Sequence, residues 1–275
     1  MSTTASAVAA RLGCVVDDSG RIVFDLPAEA ARATEGAERQ RLLLRLRPKK
    51  GEPEKVLHTL ALEPGDDGRL CAVLDPEPVL AEGRWDVYLL GPGSERQRLR
   101  PGLRDLRALV DGQLRDRRTP LAVRIPYATK DGYFAIRAWL RPAHAEVERV
   151  DVSDGSTTVG ARLHGVSLTA GGTVHLRLRG GGGTVRELKP LASDDGHGFF
   201  FTVDHDGLAA ARHGVWDVFV QPSPDAPLVR LARLLDDVAD RKEVFVYPAV
   251  TVEGACLRPY FTVDNDLSLE VRKAV

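Results

Sequence analysis

Acidic residues and imidazoles cluster at one place in this chain. His197 follows Asp194-Asp195-Gly196, and His205 lies between Asp204 and Asp206. Such residue types could bind a metal ion or transfer protons. Three neighbouring residues on a strand alternate in direction, however, and cannot all face one ion without a tight loop. Asp-rich turns between strands also form for backbone reasons alone. We therefore expect no metal site, and we keep His197 and His205 as acid/base candidates.

A second set of polar candidates occurs twice. Tyr127 and Asp131 reappear as Tyr260 and Asp264 in matching stretches, Tyr127–Gly132 and Tyr260–Asn265. These groups could form an acid/base pair, but duplication favours a structural role in a hairpin that both copies share. No Gly-x-Ser-x-Gly elbow is present, and no cysteine stands in a recognisable catalytic context. The run Gly180–Gly183 lacks a following Lys-Ser/Thr, so it predicts a hairpin tip rather than a phosphate loop. No cofactor is expected.

The elements that carry these residues are themselves repeated. Gly83–Leu89 (GRWDVYL) returns as Gly214–Val220 (GVWDVFV), and Leu44–Arg47 returns as Leu176–Arg179. The first and second copies of these two stretches are 131 and 132 residues apart, and those of the Tyr127 and Tyr260 stretches are 133 residues apart. The three stretches follow one another in the same order in both copies. A nearly constant offset is typical of a duplicated domain with small loop insertions. We predict two domains, 1–142 and 143–275.

Each predicted domain contains short apolar runs separated by Gly, Pro and Asp turns. This pattern is typical of an all-β sandwich, because parallel α/β sheets need long helical crossovers. Asp131-Gly132 predicts a type I′ hairpin turn. We expect a surface excursion at 27–40, a short helix or ordered loop at 101–118, and a strand at 243–247.

Two tryptophans occupy equivalent strands in the predicted domains. Alternation places Trp85 on the face opposite Asp86, and the same holds for Trp216 and Asp217. We expect both indoles to fill sandwich cores, with a sugar-stacking platform as the alternative. The two aspartates then lie on the opposite face, where an arginine or a loop would partner them.

Composition excludes several classes. The chain has 275 residues, with 38 Lys and Arg against 39 Asp and Glu, and a formal net charge of -1. This balance gives no global field for nucleic acid or an anionic membrane. Three separated cysteines favour reduced thiols, and the N-terminus lacks the features of a signal peptide. No run of 18 apolar residues occurs, so we expect a cytoplasmic protein that does not span a membrane.

The repeated motifs have a familiar combination. A Gly-x-Trp-Asp-Val-Tyr/Phe strand is followed by an Arg-Leu element and a closing Tyr-x-Thr-x-Asp-Gly/Asn hairpin, then by Leu-Ser-Leu-x-Val in the second copy. This resembles the immunoglobulin-like accessory segments attached to actinobacterial glycosyltransferases and teichoic-acid-type glycerophosphotransferases. The resemblance implies two tandem immunoglobulin-like β-sandwiches and supplies no catalytic residues.

Three functions are compatible with these features. The leading hypothesis is a non-catalytic binding or accessory protein, monomeric or homodimeric, that recognises a partner protein or a glycan-like ligand. The alternative is a stand-alone cyclase or lyase of actinobacterial specialised metabolism, with acid/base residues in an interdomain cleft. A purely structural oligomerisation module is the third. Exposed aromatic rings on a shallow surface would favour a glycan binder, and a large exposed apolar patch would favour a partner protein.

Overall fold

The computed structural model describes residues 10–29, 40–54, 56–65, 68–91, 95–111 and 119–274. The fold is all-β, with several sheets. Among the described residues, no helix has the length and apolar character needed to cross a membrane. The chain divides into two compact units. The first comprises Met1–Arg117, Ala122–Leu140 and Leu235–Ala239, and the second comprises Arg118–Leu121, Arg141–Leu234 and Asp240–Val275.

The described part of the first unit contains two sheets and a short helix after β9. Its strands are β1 (Arg11–Val16), β2 (Ile22–Pro27), β3 (Arg41–Leu46), β4 (Leu57–Ala61), β5 (Glu63–Pro64), β6 (Arg69–Leu74), β7 (Gly83–Leu90), β8 (Arg96–Arg98), β9 (Arg100–Asp105), β10 (Leu121–Ala128) and β11 (Phe134–Arg141), and helix α1 is Arg107–Val110. One sheet has the order β5-β6-β2-β1-β9. The other has the order β10-β11-β7-β3-β4, with β8 pairing β7.

The strands of the second unit join into one large sheet. They are β12 (His144–Val152), β13 (Ser156–His164), β14 (Thr173–Leu178), β15 (Val185–Leu188), β16 (Leu191–Ala192), β17 (Gly198–Asp204), β18 (Gly214–Gln221), β19 (Val229–Ala232), β20 (Val250–Val252), β21 (Ala255–Phe261) and β22 (Leu267–Lys273), and helix α2 is His205–Ala209. The order is β16-β17-β13-β12-β19-β18-β22-β21-β20, and β14 pairs both β18 and β15.

The two units share their strand order. The path β5-β6-β2-β1-β9 of the first unit corresponds to β16-β17-β13-β12-β19 of the second, and β10-β11-β7-β3-β4 corresponds to β21-β22-β18-β14-β15. Strand β19 fills two roles, because it pairs in parallel with β12 and antiparallel with β18. In the first unit these roles fall to two strands, since β8 pairs β7 and β9 pairs β1.

Apolar side chains from the different strand paths meet inside each unit. In the first, the ring of Phe24 on β2 packs edge-on against Phe134 on β11, with centroids 6.0 Å apart. In the second, Val159, Phe201 and Trp216 belong to one buried apolar cluster. Alternation along the strands supplies these inward residues, and their burial drives the packing.

The hairpin turn after Tyr127 differs from the predicted type I′ geometry. The Gly132 N–H donates to the Thr129 carbonyl at 2.8 Å, and Gly132 alone in this turn has positive φ, at +74°. This is a type I turn closed by a residue in the left-handed region, which forms a three-residue loop. Asn265, with φ of +62°, takes the same place in the second unit.

Other expectations for the loops were wrong, or concern residues outside those that the structure describes. The stretch expected to be helix or loop at 101–118 begins as strand β9 and continues into α1, while 112–118 lies outside the described residues. Most of the surface excursion expected at 27–40 also lies outside them. The strand expected at 243–247 is a turn with one isolated bridge, Val246 to Tyr260. The four-glycine run links β14 to β15, as the sequence predicts.

Candidate ligand-binding site

The two tryptophans of the repeated Gly-x-Trp motif are not available to a ligand. Trp85 and Trp216 are both 0% exposed, so neither indole is a sugar-stacking platform. Each ring nitrogen donates to a main-chain carbonyl four residues earlier, Ala81 at 3.0 Å and Arg212 at 3.1 Å. A buried indole requires such a partner, because an unsatisfied N–H inside a core is costly.

His205 and His197 are held by local structure at opposite ends of β17. His205 is buried, and its Nε2 lies 2.9 Å from Thr157 Oγ1. His197 belongs to a loop in which Asp195 Oδ1 accepts from the main-chain N–H of His197 and from Ser193 Oγ. These hydrogen bonds, with Ser193 foremost, hold the pKa of Asp195 well below its ordinary value. The structure does not bring the two imidazoles together. Within the described residues, no three His, Cys, Asp or Glu side chains form a group that could hold a metal ion.

Tyr127 and Asp131 belong to one hairpin, and Tyr260 and Asp264 belong to its counterpart. Asp131 stands in the turn, and its carbonyl accepts a hydrogen bond from Arg100 at 2.9 Å. The Asp264 N–H donates to Thr262 Oγ1 at 3.2 Å. Both aspartates therefore stand in the hairpin turns, and the two tyrosines lie beside the second arginine of each repeated Leu-Arg-Leu-Arg strand.

The aspartates opposite the tryptophans have arginine partners, as the sequence predicts. Asp86 accepts from Arg47 at 2.7 Å and from Arg98 at 3.3 Å. Asp217 accepts from Arg179 at 2.6 Å and from Arg230 at 2.8 Å. Burial opposes ionisation of Asp217, but these arginines and a hydrogen bond from Ser268 outweigh it, so the pKa of Asp217 lies below its ordinary value.

An exposed aromatic ring lies on the outer face of the second unit. Phe200 on β17 is 47% exposed, and its cross-strand neighbour Leu191 on β16 is 56% exposed. On the other side Phe200 pairs with Gly160 of β13. A β-carbon on Gly160 would meet only Arg149 Cβ within 4 Å, at 3.7 Å, and Gly160 itself places no side chain beside the ring. These three residues, Leu191, Phe200 and Gly160, form the phenylalanine face.

Polar groups surround the phenylalanine face on the same side of the sheet. Thr158 and Thr202 are cross-strand partners with their hydroxyl oxygens 3.0 Å apart. An exposed ion pair joins Arg162 to Asp195 at 2.7 Å. The arrangement offers a stacking surface with hydroxyl, guanidinium and carboxylate groups at its rim. These are the groups that recognise a polar ligand with one apolar side.

Sequence reasoning missed this face, although a signal was present. In the run Phe199-Phe200-Phe201, strand alternation places the outer two rings in the core and the middle ring on the opposite surface. In the first unit the corresponding position is Cys71, the cross-strand partner of Glu63 and Asp25.

A buried pair, His144 and Glu146, was also missed. His144 Nε2 lies 2.7 Å from Glu146 Oε2, which also accepts from the Leu234 N–H at 2.8 Å. The His144 ring stacks on His164 with centroids 6.0 Å apart. His144 is only 2% exposed, so the pair is enclosed.

The first unit has a cleft of about 680 Å³ next to α1. Its lining includes the Arg107–Asp105 ion pair, in which hydrogen bonds from Arg107 lower the pKa of Asp105 to about 2. None of the predicted site residues lines this cleft, whose walls are formed by Leu103, Arg104, Asp105, Leu106, Arg107, Val110, Asp111 and Asp237.

Comparison with known proteins gives a distant structural similarity. No family model matches the chain, and no curated protein matches it. The solved structure of S. aureus TarS is similar with a TM-score of 0.39 and 15% identity, over 55% of this chain and 28% of that one. A TarS fragment, 217–571, is similar with a TM-score of 0.39 and 16% identity, over 55% and 44% respectively. The chain thus spans less than half the length of either.

Proposed function

We propose that this protein is a non-catalytic binding protein that recognises a glycan-like ligand on the phenylalanine face of its second unit. The observation that carries the proposal is the exposed ring of Phe200, set between Leu191 and Gly160, which has no side chain. The C–H face of a sugar ring stacks on such an aromatic surface. The hydroxyls and the Arg162–Asp195 pair at the rim would exchange hydrogen bonds with its hydroxyl groups.

The size of the face favours a small ligand over a partner protein. A stable protein interface buries about 800 Å² on each side, around a cluster of apolar anchors. Phe200 and Leu191 are the large apolar side chains exposed in this row, and ion pairs and threonines flank them. One or two sugar rings fit the dimensions of such a surface better than a protein interface does.

We further propose that the chain consists of two tandem immunoglobulin-like units, 1–142 and 143–275, that arose by internal duplication. The shared strand order supports this origin, as do the equivalent indole hydrogen bonds of Trp85 and Trp216. The free thiols of Cys14, Cys71 and Cys256 are compatible with the expected cytoplasmic location, and we retain a monomer or homodimer as the working assembly.

The alternative function, a cyclase or lyase, has one observation in its favour. The His144–Glu146 pair could exchange a proton, which acid/base catalysis requires. Enclosure of His144 speaks against that role, because a catalytic base must reach the proton that it removes.

An oligosaccharide array tests the leading proposal. The fluorescently labelled protein is applied to neutral and anionic oligosaccharides, and each bound sugar is then titrated by calorimetry. We expect Phe200→Ala to weaken binding at least tenfold, because stacking of a sugar ring on the aromatic side chain contributes substantially to affinity. Val73→Ala, an exposed apolar change on β6 of the first unit, should bind like the wild type. Absence of binding across the array, or full binding by Phe200→Ala, would refute the proposal.

A further inference from the structure

Several arginines gather on the outer face of the first unit. We call Arg45, Arg47, Arg96, Arg98 and Arg100 the arginine face. Among the described residues, two carboxylates contact these side chains: Glu54 pairs with Arg45 and Arg96, and Asp86 pairs with Arg47 and Arg98. Five guanidinium groups against two carboxylates leave a surplus of three positive charges within this group. The hydrogen bonds to Asp86 raise the pKa of Arg47, so its guanidinium stays charged.

The second unit neutralises the corresponding position. Arg230 and Arg98 are equivalent, since each pairs across strands with the aromatic residue after Trp-Asp-Val, Phe219 or Tyr88. Arg230 faces two carboxylates, Asp217 at 2.8 Å and Asp266 at 3.6 Å. Arg98 faces one, Asp86, and that hydrogen bond is long at 3.3 Å.

The first unit has an aromatic ring where the second unit has its additional carboxylate. Tyr133 and Asp266 are equivalent because each main-chain N–H donates to the threonine hydroxyl of its hairpin turn, at 3.0 and 3.2 Å. The Arg98 guanidinium lies 3.9 Å from the centroid of the Tyr133 ring, and that of Arg100 lies 4.4 Å from it. A ring holds guanidinium groups in place without cancelling their charge.

We propose that Arg47 and Arg98 bind a tetrahedral oxyanion, a phosphate or sulfate group. Asp86 already occupies the planar fork of Arg47, so the remaining donors come from two separate side chains. Donors in different directions suit the oxygens of a tetrahedral group better than a planar carboxylate. The double charge of such a group offsets most of the surplus on the arginine face. This site lies in the other unit from the phenylalanine face and does not depend on the proposed function.

Calorimetric titration with inorganic phosphate and with sulfate, at constant ionic strength adjusted with chloride, tests the site. We expect saturable binding by the wild type. Arg98→Gln should weaken this binding at least tenfold. The matched change in the second unit, Arg230→Gln, should leave the affinity unchanged.

Tyr133→Asp provides the sharpest variant. It places a carboxylate beside Arg98, as Asp266 is placed beside Arg230, and should abolish phosphate and sulfate binding while the protein stays folded by circular dichroism. The proposal is overturned if the wild type binds neither anion. It is equally overturned if Arg230→Gln weakens binding as much as Arg98→Gln does, or if a folded Tyr133→Asp variant binds normally.

Discussion

The main chain at Gly214 lies against the side chain of Leu178. A β-carbon on Gly214 would lie 2.8 Å from Leu178 Cδ1, and Gly214 has φ of +143°, a conformation that L-residues rarely adopt. The same relationship joins Gly83, with φ of +151°, to Leu46 at 2.6 Å. In both units a glycine, which has no side chain, lies two residues before the buried tryptophan. The repeated Gly-x-Trp motif therefore has a steric cause: a side chain here would displace the partly buried leucine of the adjacent strand.

Gly214→Ala should destabilise the second unit by about 2–4 kcal/mol, because backbone strain and the clash with Leu178 add together. Chemical denaturation followed by tryptophan fluorescence measures the change. Gly155→Ala is the control, since it lies in open space without positive φ and should change stability by less than about 0.5 kcal/mol. Equal midpoints for the two variants would contradict the steric explanation.

Trp216→Ala should lower the free energy of unfolding by about 3–5 kcal/mol, because it leaves a large cavity in the core. Trp216→Phe should cost less, since it retains most of the apolar volume but leaves the Arg212 carbonyl without its indole donor. Denaturant midpoints of the two variants give the order. An unchanged midpoint for Trp216→Ala would disprove the core assignment.

Asp217→Asn should destabilise the protein by about 1–3 kcal/mol at neutral pH, because it leaves Arg230 with a weaker partner. The folded-state pKa of Asp217 is lowered, so its ionic stabilisation is present above the unfolded-state pKa of about 3.9 and is lost as pH falls through the folded-state value. Stability curves of wild type and variant should therefore run parallel above about pH 5 and converge below pH 4. A constant difference down to the acid limit would contradict this linkage.

Two substitutions at Asn265 distinguish the contribution of its backbone conformation to stability from that of its side-chain hydrogen bond. Asn265 is fully buried with φ of +62°, and its Oδ1 accepts from the Arg241 N–H at 3.0 Å. Asn265→Gly retains the backbone conformation and loses the hydrogen bond, which should cost about 1–2 kcal/mol. Asn265→Ala should cost about 1 kcal/mol more, because alanine is strained in the left-handed region. Thermal melts compare them, and a more stable alanine variant would refute the assignment.

Thiol labelling should distinguish the cysteines. Burial raises the pKa of Cys14 to about 12, so at pH 8 only about one thiol in ten thousand is ionised. A disulfide reagent should react in the native protein with Cys71 and Cys256, which are partly exposed, and reach Cys14 only after denaturation. Peptide mapping identifies the labelled sites. Rapid native labelling of Cys14 would show that its strand opens readily.

Local periodicity and repetition predicted the main elements of the fold. Alternation around Trp85 and Trp216 places the indoles inward and Asp86 and Asp217 toward arginines, because strand geometry fixes direction every second residue. The turn type was wrong for a definite reason. Asp-Gly suits a type I′ turn, but here glycine takes the fourth position, and Asn265 does the same in the second unit.

The candidate sites were harder to predict, because they depend on contacts between distant residues. To predict that Phe200 is exposed, one must know which face of β17 is buried, although the run of three phenylalanines indicated this face. The sequence shows that Tyr133 and Asp266 differ, but the effect of this difference on charge depends on the arginine beside each residue. These are Arg98 and Arg230, which lie 35 and 36 residues away in the chain. His144 and Glu146 are an exception, because they are only two residues apart and strand alternation places both side chains on one face.

Strand β19 is bonded along both edges, to β12 on one side and to β18 on the other. A strand held in this way cannot leave one neighbour without disturbing the other. The second unit should consequently resist peeling from either side, and its loss of structure under load or heat should be a concerted rupture rather than a gradual fraying.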